Sequence, residues 1–258
     1  MNLFAVQLDI AWENKAANFA RTRALLATAA PEPGSLVVLP EMFSTGFSLN
    51  LAVTRQSEAR EDEAFLADLA IDFGVFTLGG VVNPGESSMG RNQSVVHSPA
   101  GAVVVRYTKI HPFSLGGEAQ THEAGRDIVL CPWNGFTVAP FVCYDLRFPE
   151  IFRAAASRGA NLFVVIALWP VKRQHHWLTL LQARAIENQA YVVGVNRVGQ
   201  EPQYSYAGRS VVVDPHGIIV ADAGEQERVL AAALSLETVE GWRRDFPALR
   251  DAHWRDGI

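Results

Sequence analysis

Three residues of different chemical types stand at the ends of short apolar runs in this chain. They are Glu41, Lys109 and Cys143, in the segments SLVVLPEMF, VVVRYTKIHPF and PFVCYDLRFPE. Because the strand ends of an α/β sheet meet at one edge, where sites assemble, we expect the three side chains to lie together. A carboxylate, an ammonium group and a thiol at one point are the parts of a covalent catalyst.

The chemistry open to such a trio is attack by Cys143 on a small carboxamide, with ammonia leaving. A nearby carboxylate can take the thiol proton, and an ammonium group can stabilise charge on sulfur. The Lys109 ammonium and the Tyr144 backbone N–H could hold the oxyanion, at about 3 to 4 kcal/mol per donor. Glu41 would protonate the departing ammonia and then activate the deacylating water.

The elements that must position these residues alternate between strand and helix. Apolar runs predict strands at 3–8, 36–39, 75–82, 136–142, 162–167 and 191–195, and helical spacing covers 14–29, 58–73, 150–158 and 175–188. Hairpins follow twice, with arms at 92–96 and 103–107 and at 210–213 and 218–221. This repeated order predicts an α/β fold of two sheets packed face to face with helices outside. We expect one domain over 1–258, with a C-terminal tail from about residue 242.

Composition excludes several classes of partner. The net charge of -5 offers no basic field for nucleic acid or an anionic membrane surface. No apolar run approaches the roughly 18 to 20 residues of a membrane span, and no secretory signal pattern begins the chain. The two cysteines form neither a disulfide framework nor a zinc pattern, so we expect a cytoplasmic protein without metal or other cofactor.

Ordered motifs extend over nearly the whole chain. They are AVQLDI, LPEMF, YTKIHPF, FVCYDLRFPE, LQARAIENQAYVVGVNRVG and YAGRSVVVDPHG. In these motifs the chain resembles the nitrilase-like carbon–nitrogen hydrolases. The resemblance implies Glu41 as general base, Lys109 as catalytic lysine and Cys143 as nucleophile. It also implies a four-layer α-β-β-α sandwich that forms homodimers or larger homo-oligomers.

The family also carries a second glutamate between the lysine and the cysteine, which orients the lysine. The segment GGEAQTHEAGRD offers Glu118 and Glu123. Glu118 lies seven residues before the turn at Gly125, a spacing that resembles the family pattern, whereas Glu123 lies too close to that turn. We therefore take Glu118 as the fourth catalytic residue and keep Glu123 as an alternative further from the reacting atoms.

The segments CYDLRFPE, WPVKRQHHW and ARAIENQAY look most like the ω-amidase branch, which hydrolyses 2-oxoglutaramate to 2-oxoglutarate and ammonia. Its small-molecule substrate needs a cation for the 2-oxo acid end, and Arg173 or the reserve candidate Arg147 could supply it. Phe47, Tyr144 and Trp169 would form an aromatic wall. One departure is Leu168, where relatives usually carry an asparagine before Trp-Pro, which removes an amide from the pocket.

Other interpretations of several residues remain open. Arg147 could equally be an ion-pair partner of Asp145 or Glu150, and Cys131 is taken as a buried structural thiol. The adjacent residues His175 and His176 would point about 100° apart on a helix, which argues against a shared metal.

The same residues also bear on alternative functions. A papain-like hydrolase would need a CGSCW-type signature, which does not surround Cys143. A non-catalytic scaffold would most simply have lost one of the three catalytic residues. A deaminated glutathione amidase, a carbamoylase or a nitrilase of the same family remains open. The helix near Glu150 and the aromatic tail with Trp242, Phe246 and Trp254 are expected to meet a partner subunit.

Overall fold

The structure is a computed structural model, and it describes residues 1–252. Its first sheet has six strands in the order β14-β1-β2-β3-β4-β5. Strands β1, β2 and β3 are parallel, and the remaining pairs are antiparallel. The strands are β1 (Asn2–Gln7), β2 (Leu36–Val38), β3 (Phe76–Pro84), β4 (Gly90–His97), β5 (Val103–Thr108) and β14 (Arg228–Ala233).

The second sheet also has six strands, in the order β13-β12-β9-β8-β7-β6, with β7, β8 and β9 parallel. A separate two-stranded hairpin follows β9 in the chain. The strands of this sheet are β6 (Cys131–Trp133), β7 (Phe136–Val142), β8 (Leu162–Ile166), β9 (Tyr191–Val195), β12 (Val211–Val213) and β13 (Ile219–Asp222), and the hairpin is β10 (Val198–Gln200) and β11 (Ser205–Ala207).

Helices cover the outer face of each sheet. Helices α1 and α3 pack on the first sheet, and α4 and α5 pack on the second. The helices are α1 (Lys15–Ala29), α2 (Leu51–Thr54), α3 (Glu61–Phe73), α4 (Pro149–Ser157), α5 (Gln174–Asn188) and α6 (Leu236–Asp245). The predicted α-β-β-α sandwich is therefore confirmed.

Strand β2 shows why the apolar runs are continuous rather than alternating. Leu36 and Val38 face the second sheet in the larger core cluster, whereas Val37 and Leu39 face the helices in the smaller one. A strand covered on both sides needs apolar residues at every position. The run ends at Pro40, so the next residues leave the sheet at its edge.

Two elements at the C-terminal end were not predicted. Strand β14 has the sequence RVLAAA and pairs antiparallel with all six residues of β1, although its alanines are weak strand formers. Helix α6 starts before the predicted tail and covers its first residues. Trp242 packs on His216 with ring centroids 4.5 Å apart and ring planes tilted by 41°, and Phe246 stacks on Trp242 at 5.2 Å. This part of the tail packs on the body, and Trp254 lies outside the described residues.

Among residues 1–252, no helix combines the length and the apolar character that crossing a bilayer requires.

Candidate active site

Three of the four expected catalytic residues follow the end of a strand. Cys143 follows β7 directly, Lys109 follows β5 directly, and Glu41 lies three residues past β2. Glu118 opens a short 3-10 turn, Glu118–Gln120. The chain around Glu41 runs against β3, where a Cβ on Gly80 would lie only 2.5 Å from Glu41 Cα. Glycine at position 80 therefore makes this close approach possible.

Glu41, Lys109, Glu118 and Asn92 form a closed ring of hydrogen bonds. Lys109 Nζ lies 2.9 Å from Glu41 Oε1 and 2.8 Å from Glu118 Oε2. Asn92 Nδ2 donates to the other side of the ring, to Glu41 Oε1 at 2.7 Å and to Glu118 Oε1 at 2.8 Å. All four side chains are buried. The ring holds the lysine between the two carboxylates of Glu41 and Glu118.

Electrostatics keeps the Lys109 amine protonated. Burial alone would lower the pKa of Lys109, but the charges of Glu118 and Glu41 outweigh burial and raise it well above its usual range. Burial alone would raise the pKa of Glu118, but the Lys109 charge and the hydrogen bonds to the carboxylate keep that pKa below its ordinary value. A permanent cation is thus available for an oxyanion.

The Cys143 thiol is also held in its protonated form, which is neutral. Burial raises the pKa of this thiol well above its usual range, the Glu41 charge adds to the rise, and the Lys109 charge opposes it. The resting side chain is therefore the neutral thiol. Its proton has to be removed as the sulfur attacks, which calls for a base close by.

The backbone of Leu168 connects the thiol to the base. Cys143 Sγ lies 3.9 Å from the Leu168 carbonyl oxygen, and the Leu168 N–H donates to Glu41 Oε2 at 2.9 Å. Cys143 itself has a φ of 47°, in the left-handed region, at the start of the 3-10 turn Cys143–Arg147. This backbone conformation costs on the order of 1 to 3 kcal/mol of free energy, and such conformations cluster at active sites.

A pocket of about 390 Å³, counted to its open mouth, leads to Cys143 and Lys109. All five residues predicted to bind substrate line it: Phe47, Tyr144, Arg147, Trp169 and Arg173. Three further aromatic residues, for which the sequence carried no signal, also line the pocket: Phe113, Tyr204 and Tyr206.

Arg147 and Arg173 place two cations beside this pocket. Arg147 Cζ lies 4.9 Å from the centre of the Trp169 ring, and Arg173 Cζ lies 5.4 Å from the centre of the Phe113 ring. Burial first, and then the Arg173 charge, lower the pKa of Arg147. Within residues 1–252, neither guanidinium forms an ion pair with a carboxylate. Both can therefore receive an anionic group.

Arg147 does not form the ion pair that the sequence left open for it. It ends the 3-10 turn Cys143–Arg147, and its Nη2 lies 3.2 Å from His176 Nδ1 instead of pairing with Asp145 or Glu150. Helix α4 begins at Pro149, one residue before the start predicted from the sequence.

Glu123 is not part of the ring. Its carboxylate accepts hydrogen bonds from Ser87 N at 2.8 Å and Arg91 Nε at 2.9 Å, at the protein surface. Cys131 is buried at 4% exposure, as expected of a structural thiol. In the described part of the chain, no group of three or more His, Cys, Asp or Glu residues could hold a metal ion.

Asn92 is the ring member that sequence reasoning missed. It lies inside β4, in the segment GRNQSVVH, where four polar residues precede the apolar ones. Polar side chains in a buried strand need partners, and that could have marked the position. The pattern does not show which of them faces the lysine.

The whole chain matches known proteins. The carbon–nitrogen hydrolase family model matches residues 4–244. Omega-amidase YafV of Yersinia enterocolitica is 38% identical over 97% of this chain and 96% of its own length. A 2-oxoglutaramate amidase of Bacillus subtilis is 31% identical over 95% of each chain. A solved CN-hydrolase superfamily protein of Xanthomonas campestris, with an arsenic adduct in its active site, has a TM-score of 0.93 and 34% identity, covering 99% of this chain and 98% of its own.

The chain belongs to the carbon–nitrogen hydrolase family, and it is an enzyme of that hydrolase class.

Proposed function

We propose that this enzyme is an ω-amidase that hydrolyses a small ω-amide of a 2-oxo acid, with 2-oxoglutaramate as the first candidate. The products are the dicarboxylic 2-oxo acid and ammonia. The observation that carries the proposal is one pocket lined by the Cys143 thiol, the Lys109 amine and two arginines that have no carboxylate partner within residues 1–252. Relatives named omega-amidase and 2-oxoglutaramate amidase support this choice of substrate.

Acylation begins when Cys143 Sγ attacks the amide carbon and its proton passes to Glu41. The oxygen of the tetrahedral intermediate is held by the Lys109 ammonium, together with the Tyr144 backbone N–H. Glu41 then gives the proton to the nitrogen, the carbon–nitrogen bond breaks and ammonia leaves. A thioester between the substrate carbon and Cys143 remains.

Deacylation uses the same groups with water in place of the thiol. Glu41 takes a proton from water as the water oxygen attacks the thioester carbon, and Lys109 again holds the oxyanion. The carbon–sulfur bond breaks, the sulfur recovers the proton from Glu41, and the carboxylic acid is released. Glu118 keeps Lys109 charged and oriented throughout, through its 2.8 Å contact with Nζ.

Selectivity among amides depends on how the enzyme binds the end of the substrate that is far from the amide. A Cys143–Glu41–Lys109 site supplies chemistry for any unhindered primary amide, so selectivity has to come from groups at the pocket mouth. An arginine can bind a carboxylate bidentately, and a charged hydrogen bond contributes about 1.5 to 3 kcal/mol. We assign this role to Arg173, with Arg147 as the second candidate. Phe47 and Trp169 would pack on the carbon chain between the two ends.

We further propose that the enzyme works as a homodimer or larger even-numbered homo-oligomer in the cytoplasm. Phe246 is 55% exposed and Ile218 is 60% exposed, which leaves apolar surface near the predicted interface at the tail. Both cysteines are free thiols, and a reducing compartment would protect the nucleophile. A strictly monomeric species in sedimentation at micromolar concentration would contradict the assembly.

Ammonia release across a matched set of compounds tests the substrate. The set compares 2-oxoglutaramate with glutamine, a neutral short-chain amide, an N-carbamoyl amine and a nitrile, with Cys143→Ala as the blank. Glutamine is the most closely matched control, because it has the same chain length and the same terminal amide, with an amino group in place of the oxo group. The proposal expects the highest kcat/KM for 2-oxoglutaramate. Faster turnover of the nitrile or the carbamoyl amine would assign a different branch of the family.

A further inference from the structure

Asp145 lies two residues after the nucleophile and accepts hydrogen bonds from segments that belong to both sheets. Its side chain is fully buried. Oδ2 accepts from Tyr107 Oη at 2.8 Å and from Val142 N at 3.1 Å. Oδ1 accepts from His111 N at 3.0 Å, and His111 Nδ1 lies 2.8 Å from the same oxygen. Each oxygen of the carboxylate thus has two hydrogen-bond partners.

These donors flank two catalytic residues. Tyr107 and His111 stand two positions before and two positions after Lys109, and Val142 immediately precedes Cys143. The carboxylate therefore holds the lysine-bearing segment at both ends and ties it to the turn that carries the thiol. Lys109 comes from the first sheet and Cys143 from the second, so Asp145 bridges the two layers at the site.

We propose that Asp145 is a positioning residue that sets where Cys143 Sγ stands relative to Lys109 Nζ. It does not touch the substrate. The inference rests on the proposed function only in that Cys143 and Lys109 act together on one carbonyl group. A displacement of about 1 Å between such groups can cost about 100-fold in rate.

Asparagine cannot replace this carboxylate. Each oxygen of Asp145 accepts from a backbone N–H, one from Val142 and one from His111. An asparagine amide would place its NH₂ group against one of those N–H groups in either orientation, and two donors cannot bond each other. The substitution Tyr107→Phe is the matched control, because it removes one side-chain donor and leaves both backbone N–H hydrogen bonds to Asp145 in place.

The experiment compares Asp145→Asn, Tyr107→Phe and the parent enzyme after near-UV circular dichroism has measured the folded fraction. The readouts are kcat and KM for 2-oxoglutaramate and the rate at which iodoacetamide labels the Cys143 peptide. We expect Asp145→Asn to lose about 100-fold in kcat with KM nearly unchanged and to label more slowly. Tyr107→Phe should lose less in both rates.

Parental kcat and labelling rate in folded Asp145→Asn would overturn the proposal. If that variant does not fold, Tyr107→Phe and His111→Ala decide, since each removes a donor on the lysine side alone. A lower kcat and slower labelling at constant KM in both would support the proposal, and parental rates would overturn it. Labelling needs no substrate, so it tests Asp145 even if the enzyme proves inactive on 2-oxoglutaramate.

Discussion

The backbone N–H of Leu168 donates a 2.9 Å hydrogen bond to the carboxylate of Glu41. The contact is made by the main chain, so it does not depend on which side chain stands at position 168. The Leu168 side chain instead packs in the smaller core cluster and forms part of the pocket lining. The departure from the asparagine of the family therefore affects the substrate pocket and leaves the base in place.

Leu168→Asn should consequently keep kcat close to the parent value. Its amide could reach the substrate and lower KM for 2-oxoglutaramate by about 3- to 10-fold, the worth of one net hydrogen bond. Steady-state kinetics measures both constants. A loss of kcat by orders of magnitude would mean that the leucine side chain itself maintains the catalytic ring.

Glu41→Gln and Lys109→Ala should each reduce kcat strongly, by about 100-fold or more, because each removes a group used in both half-reactions. Their combination should cost much less than the product of the single losses, since residues that act as a unit are not additive. Single-turnover rates of the two variants and the double variant measure this. Multiplicative losses would show that the two side chains work independently.

The pH dependence follows from the raised pKa values of Cys143 and Lys109. The pKa of the thiol lies well above its ordinary value of 9.0, and that of the amine well above 10.5. Between pH 7 and pH 9 both groups keep their protons, so kcat/KM should stay level if Glu41 removes the thiol proton during attack. In Glu41→Gln the thiol must ionise by itself, so the residual rate should rise with pH. A parental rate that rises about tenfold per pH unit would instead indicate attack by a preformed thiolate.

The arginines are tested by substrate comparison. Arg173→Met should raise KM for 2-oxoglutaramate by about 10- to 100-fold, the equivalent of a lost charged hydrogen bond. KM for a neutral short-chain amide should change little. Arg147→Met is the paired variant, because its guanidinium lines the same pocket and packs on Trp169. If neither variant discriminates between the two substrates, the carboxylate is bound elsewhere and the ω-amidase assignment fails.

Sequence patterns identified the candidate site residues that lie just past the ends of strands. Glu41, Lys109 and Cys143 each follow an apolar run whose end is visible in the sequence, and Glu118 was chosen by spacing to a turn. Asn92 was missed because it lies within a strand, and its role depends on Glu41 and Glu118, which only the fold brings next to it.

Asp145 shows a second limit of sequence reasoning. The sequence left Arg147 open as an ion-pair partner of Asp145. The donors to Asp145 are instead Tyr107, His111 and Val142, and the first two lie in β5 of the other sheet or just after it. Contacts between layers depend on how the sheets stack, and local spacing does not contain that information. Strand β14 was missed for a related reason, since its alanines form a strand only because β1 offers an edge.

Turnover of 2-oxoglutaramate by Cys143→Ala, with Cys131→Ala as the matched control, tests the central claim most directly. Both substitutions remove a thiol of the same size, but only Cys143 lines the pocket, while Cys131 is buried in the core. Ammonia release by folded Cys143→Ala should fall to the blank rate, and Cys131→Ala should retain nearly the parental rate. Residual turnover by Cys143→Ala comparable to the parent would contradict a mechanism in which Cys143 is the nucleophile.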